Sequence, residues 1–249
     1  MNISACIITR NEEDNLPRCL ESIKDVVDEI VIIDSGSTDR TPFIATEYNA
    51  RFIRHDWEGY VAQKNFALQK ATWEWVLSID ADEELSPELR GELLKLKQQS
   101  PEPVASGFEM ARVVFYEGRW IRFGDWYPDR LVRLFRKSRA KFAGGAVHER
   151  LEVEGAVEPL AGELHHYTYR DLADQQARME RYSTLWAEAA HQEGRRAGWA
   201  SSYTHAVARF LRAFVIKGGF KGGVLGFRIA RLNAAEVYLK YQKLARLGR

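Results

Sequence analysis

The chain has 249 residues, 45% of them hydrophobic, with 36 Lys+Arg against 35 Asp+Glu. This is an ordinary globular composition, long enough for one large domain and an appendage. No uninterrupted apolar stretch approaches the ~20 residues of a membrane span. The N-terminal MNISACIIT lacks the basic and long apolar regions of a signal peptide, and Cys6 and Cys19 form no CxxC or zinc spacing, which suits a reducing cytosol. The charge is unevenly spread: residues 171–249 hold 14 Lys+Arg against 6 Asp+Glu, whereas residues 1–170 hold 22 against 29.

In chain order, Ile3 to Thr9 reads as a strand that breaks at the polar cluster Arg10-Asn11-Glu12. Asn15 is placed to cap a helix with Pro17 in its first turn and Leu16, Leu20 and Ile23 as its apolar stripe. Glu29 to Ile33 is a second strand, ending in Asp34-Ser35-Gly36-Ser37. A helix follows with Pro42 at its start and Ile44 and Ala45 inward. Arg51 to Arg54 is a third strand, and Gly59 to Ala71 has helical spacing through Val61, Phe66 and Leu68. Trp75 to Ile79 is a fourth strand, short, apolar and β-branched, and it ends in Asp80-Ala81-Asp82-Glu83-Glu84.

Alternating strands and helices predict an α/β fold with a mostly parallel sheet. Ligands of such sheets sit beyond the carboxyl ends of the strands, where the three polar clusters should meet. Asp80 and Asp82, two residues apart, are placed there to hold a hard divalent cation that holds a phosphate. An acidic surface turn capping the next helix is the other use of such residues. No GxxxxGK[ST] or GxGxxG follows any strand, which disfavours a P-loop or dinucleotide fold.

ITRNEE, VIIDSGSTD and SIDADEEL, in that order, resemble family 2 glycosyltransferases of the GT-A fold. YPDRLVRLFR, VHERL and HHYTY are similar to one bacterial branch, the lipopolysaccharide inner-core β-1,4-glucosyltransferases. The resemblance implies a UDP-sugar donor, glucose as the sugar, a divalent cation (Mg²⁺ or Mn²⁺) and inversion at the anomeric carbon. It implies that Thr9, Arg10, Asn11, Glu12 and Asp34 line the nucleoside pocket, that the triplet Asp80-Ala81-Asp82 takes the place of the family's DxD, and that Asp82 binds the metal.

Gln63 and Lys64 on the third helix are candidates for the diphosphate or the uracil, with a solvated helix face as the other reading. Ser86 should cap a helix over Glu88 to Gln98, stopped by Ser100-Pro101-Glu102-Pro103. Gly107 to Tyr116 and Leu131 to Phe135 read as strands. The aromatic stretch between them, from Tyr116 to Tyr127, suits either sugar stacking or a hairpin packed on the core. His148-Glu149 occupies the place of the family's acidic base motif. With histidine at the first position, Glu149 is the general base that the resemblance implies, and Asp129 in Tyr-Pro-Asp-Arg is the rival. His166, after His165, matches the late histidine of the GT-A metal shell, and a buried structural histidine is the alternative.

Leu172 to Glu193, Trp199 to Lys217 and Gly223 to Leu247 should be helices, the last two split by a Gly-rich turn. From Ala200 onward there are ten basic residues against one acid, Glu236, with Phe210, Leu211, Phe214, Val215 and Ile216 among them. That composition suits an anionic membrane surface. A packing element or a homo-oligomer interface is the alternative, and no recognised nucleic-acid motif is present. The division is a GT-A domain over 1–170 and a basic helical extension over 171–249. The function that the resemblance implies is transfer of a sugar to lipopolysaccharide core or a similar lipid-linked glycan acceptor at the cytosolic face of the inner membrane. A metal-dependent nucleotidyltransferase and a non-catalytic glycan- or membrane-binding module are the competing functions.

Overall fold

A computed structural model describes residues 1–144, 149–169 and 172–248, so His148 lies outside the described residues. The backbone forms two compact units, Met1–Phe115 with Asp129–Thr168, and Tyr116–Pro128 with Tyr169–Arg249.

The first unit starts with β1 (Ile3–Thr9), α1 (Leu16–Ile23), β2 (Glu29–Asp34), α2 (Thr41–Glu47), β3 (Arg51–Arg54), α3 (Tyr60–Lys70) and β4 (Trp75–Ser78). It continues through β5 (Glu83–Leu85), α4 (Pro87–Gln98) and β6 (Gly107–Tyr116). After β7 (Arg119–Ile121), which lies in the second unit, come β8 (Asp129–Arg136), β9 (Ala140–Gly144), β10 (Glu149–Val153) and β11 (Val157–His166). The sheet order is β3-β2-β1-β4-β8-β6-β11-β5. Its first four strands are parallel, with Thr9 opposite Asp34. Beyond β4 the sheet is mixed: β8 is antiparallel to β4 and β6, β11 is parallel to β6, and β5 is antiparallel to β11 with Glu83 opposite His166. β9 and β10 make a separate antiparallel ribbon.

Side chains alternate across the strands, so each strand feeds two cores. Ile3, Ile7, Ile32, Trp75 and Leu77 pack with Leu16, Leu20 and Ile23 of α1 and Leu89 and Leu93 of α4. Cys6, Val31, Ile33, Val76 and Phe135 pack on the other face with Ala67 and Leu68 of α3. Ser86 caps α4 as expected, its Oγ accepting from the Leu89 amide at 3.1 Å.

Two local expectations are corrected. The Asn15 side chain makes no cap bond to α1; it donates to Glu12 at 2.9 Å and accepts from Arg18 at 2.8 Å. On α3 the inward face carries Gln63, Lys64, Ala67 and Leu68, so Gln63 and Lys64 do not belong to a solvated face.

The second unit is built on α5 (Leu172–Gln192), α6 (Trp199–Leu211) and α7 (Gly223–Leu247). A π-helical turn over Arg212–Ile216 extends α6. Tyr203 meets Tyr238 and Phe210 meets Phe227, so α6 and α7 form an antiparallel hairpin. α5 lies on α7 through Ala187, Ala190 and Leu244. The aromatic stretch is spent on packing inside this unit. Trp126 Nε1 donates to Asn233 Oδ1 at 3.2 Å, Tyr116 donates to Gln175 at 2.9 Å, and Asp125 pairs with Arg209. No described helix is long and apolar enough to cross a membrane.

Candidate active site

The loops after β1 and β2 are laced together at the carboxyl edge of the parallel strands. Asn11 sits at φ +56°, a left-handed conformation that asparagine tolerates better than most residues. Its amide donates to Ser37 Oγ and its side-chain oxygen accepts from the Thr38 amide, both at 2.8 Å. The Glu12 amide donates to Thr41 Oγ1 at 2.8 Å. Asp34 is buried; it accepts from Thr9 Oγ1 at 3.0 Å and from the amides of Gly36 and Ser37 at 2.9 and 2.8 Å. Asp34 thus fixes the loop in which it stands. Arg10 is exposed on the neighbouring loop.

Gln63 is 0% exposed and braces the same loop from α3. Its Nε2 donates to Ser35 Oγ at 3.0 Å and its Oε1 lies 2.8 Å from His55 Nδ1. The next residue, Lys64, carries the second half of the site. Its buried ammonium lies 3.1 Å from Asp80 Oδ1 and 3.5 Å from Glu149 Oε1. The other Asp80 oxygen takes a 2.7 Å bond from Arg133 Nη2, and the same guanidinium pairs with Glu83, whose side chain is fully buried. Glu83 also lies 3.4 Å from Arg112, and Arg112 holds Asp129 at 2.6 Å. A continuous file of alternating charge therefore runs Glu149, Lys64, Asp80, Arg133, Glu83, Arg112, Asp129.

Burial pushes the Asp80 carboxyl up, but the Arg133 guanidinium and the Lys64 ammonium outweigh it and hold Asp80 well below the usual carboxylate range. Burial pushes Arg133 down, and Asp80 and Glu83 more than compensate. Ala81 packs into the core beside Cys19, whose Sγ reaches the Asp80 carbonyl at 3.6 Å.

Asp82 stands apart from this file. Its Oδ2 is 3.2 Å from His166 Nε2, and the other ring nitrogen of His166 is 2.8 Å from Thr168 Oγ1. A donor hydrogen on Nδ1 directed at Thr168 would leave Nε2 as a lone pair, the arrangement of metal-binding histidines. Among the described residues no three His, Cys, Asp or Glu side chains form a metal cluster. One carboxylate and one imidazole fit a divalent cation that takes the rest of its shell from phosphate oxygens and water.

The structure thus brings Thr9, Asn11, Asp34 and Gln63 together, joins Lys64, Asp80 and Glu149 in one contact, and pairs Asp82 with His166. Asp129 is joined only through the far end of the charge file. Sequence reasoning missed Arg133, Glu83 and Arg112. Arg133 had a signal: a lone charge inside the apolar strand Leu131-Val132-Arg133-Leu134-Phe135, where an unpaired guanidinium would be costly.

Strands, loops and acidic turn in this order make up a GT-A fold. The model of Glycosyl transferase family 2 matches residues 4–151, and the chain belongs to that family. The chain is 33% identical to the lipopolysaccharide core biosynthesis glycosyltransferase LpsC of Rhizobium meliloti, over 97% of this chain and 91% of LpsC. It is 30% identical to an uncharacterised glycosyltransferase of Rickettsia typhi, over 99% of this chain and 87% of that one. Among solved structures, a mannosyltransferase of Pyrobaculum calidifontis in complex with GDP-Man and Mn²⁺ matches with a TM-score of 0.56 at 15% identity, covering 98% of this chain and 86% of that one. The last likeness is one of fold.

Proposed function

We propose that the protein is an inverting, metal-dependent glycosyltransferase that moves a hexose, glucose in the first instance, from a UDP-sugar to a lipopolysaccharide core or similar lipid-linked glycan. The observation that carries this is the contact of Lys64 with both Asp80 and Glu149 in a family 2 chain. The loops of Thr9, Arg10, Asn11, Glu12 and Asp34, braced by Gln63, take the nucleoside. Asp82 and His166 would hold the divalent cation, Mg²⁺ or Mn²⁺, which would supply positive charge to neutralise a departing diphosphate. Glu149 accepts the proton of the acceptor hydroxyl as that oxygen attacks the anomeric carbon, in one displacement without a covalent intermediate. Lys64 orients Glu149 through their contact, and Asp80 and Arg133 keep Lys64 in place. Asp129, held by two bonds from Arg112, is less available as a base. Similarity to LpsC over almost the full chain supports the lipopolysaccharide acceptor and a peripheral position at the cytosolic face of the inner membrane.

Glu149→Gln keeps size and polarity but cannot take a proton. Turnover should fall about 10²–10⁴-fold with donor affinity unchanged. Near-normal turnover in Glu149→Gln, with loss in Asp129→Asn, would move the base to Asp129.

A further inference from the structure

The large apolar side chains of the second unit are not all used in packing. At the closed end of the α6–α7 hairpin Val215, Ile216, Phe220 and Val224 are 55%, 77%, 53% and 71% exposed. Soluble surfaces rarely cluster such side chains without a partner to cover them. The turn that carries them is closely packed. A Cβ on Gly226 would lie 1.8 Å from the Gly219 carbonyl oxygen, and one on Gly222 would lie 2.3 Å from the Phe123 ring. Behind the tip Phe210, Phe214 and Phe227 contact one another at 5.5–5.8 Å between ring centres. The apolar tip is therefore preformed, and little ordering is needed when it is covered.

The charges around the tip choose its partner. Arg212, Lys217 and Lys221 are exposed there. Arg209, Arg228, Lys240 and Lys243, by contrast, are each paired with a carboxylate. The acids of this unit are largely committed to such pairs: Glu117, Asp125, Asp174, Glu180, Glu193 and Glu236 all have basic partners. The same unit of a second copy therefore offers few free carboxylates to meet the cations, whereas an anionic lipid surface offers phosphates around an apolar interior.

We infer that this hairpin tip is a membrane wedge, in which Ile216, Phe220 and Val224 enter the acyl region of an anionic leaflet while Arg212, Lys217 and Lys221 meet its headgroup phosphates. The inference rests on the reading that the acceptor is lipid-anchored. The wedge puts the chain on the surface that displays the acceptor.

Both native cysteines are buried, so a single introduced cysteine can be labelled selectively in the full-length protein. An environment-sensitive fluorophore on Ile216→Cys should brighten and shift to the blue on vesicles of phosphatidylglycerol and phosphatidylcholine. The same label on Glu188→Cys of α5 should stay in a watery environment. Lys217→Glu with Lys221→Glu should weaken vesicle binding at least about tenfold, and salt should weaken the wild type. Ile216→Ser with Phe220→Ser and Val224→Ser should weaken it at low salt as well. An unshifted label at 216 on vesicle-bound protein would overturn the wedge. So would binding unchanged in both sets of variants, or a wild-type tip that is covered instead by concentration-dependent dimerisation. Slow hydrolysis of the UDP-sugar in solution reports the transfer site separately: its loss in wild type would count against the transferase reading, not the wedge.

Discussion

Among single residues, Arg133 and Asp82 separate structural charge from chemical charge. Arg133 is buried between Asp80 and Glu83. Removing one member of such a buried ionic cluster strands the others, so Arg133→Met should cost about 3–5 kcal/mol in denaturant unfolding. The loss has a pH signature. Asp80 has a lowered folded pKa, so its contribution is fully present above the unfolded carboxyl value of about 3.9 and is lost as pH falls towards the folded value. The gap between wild type and Arg133→Met should be constant near neutrality and narrow below about pH 4. A gap independent of pH would mean that Arg133 does not act through Asp80. Asp82, paired with His166, is the proposed cation ligand. Asp82→Asn should weaken Mn²⁺-dependent UDP binding, since a neutral amide is a poorer ligand for a hard cation. Calorimetry checks it: equal affinity in the variant would remove Asp82 from the metal site.

Secondary elements show where sequence periodicity sufficed. β1, β3 and β6 have the bounds that apolar runs and their polar stops imply, because each is a run of strand length closed by a cluster that cannot enter a core. β11 was not legible. Val157-Glu158-Pro159-Leu160-Ala161-Gly162 carries two acids or breakers for every apolar pair, and the strand survives by bulging between Pro159 and Glu163 as it pairs with β6. β5 was hidden inside the acidic turn, since Glu83-Glu84-Leu85 lacks any strand signature until Arg133 neutralises Glu83. The inward turn of Gln63 and Lys64 was equally invisible, because their partners Ser35, His55, Asp80 and Glu149 come from four other segments. The Gly-rich turn between α6 and α7 was legible as a break but not as a packed joint. Gly226→Ala would press a methyl into the Gly219 carbonyl. Overpacking of this kind should cost about 1–3 kcal/mol, read as a lowered midpoint in thermal or denaturant unfolding. An unchanged midpoint would mean that the turn can open without penalty.

For the molecule as a whole, the backbone forms two units, and the second takes in Tyr116–Pro128 as well as the basic tail visible in the charge count. The first gathers the hydrogen-bonded loops after β1 and β2, a buried charge file and a carboxylate–imidazole pair. The second offers a hairpin with cations and exposed apolar side chains at its closed end. The family was legible from three strand-end motifs, the first two of which are loops whose hydrogen bonds are local or between adjacent strands. Its supporting charges were not, because they converge from β6, β8 and β5. The proposed function makes one chemical commitment: the bond broken is between the sugar and the diphosphate, not between the two phosphates. Phosphorus NMR of a reaction with UDP-glucose, Mn²⁺ and a lipid-linked core glycan decides it. Free UDP should appear in step with glycosylated acceptor in wild type and far more slowly in Glu149→Gln. Release of pyrophosphate, or binding of both ligands with no UDP formed, would contradict it.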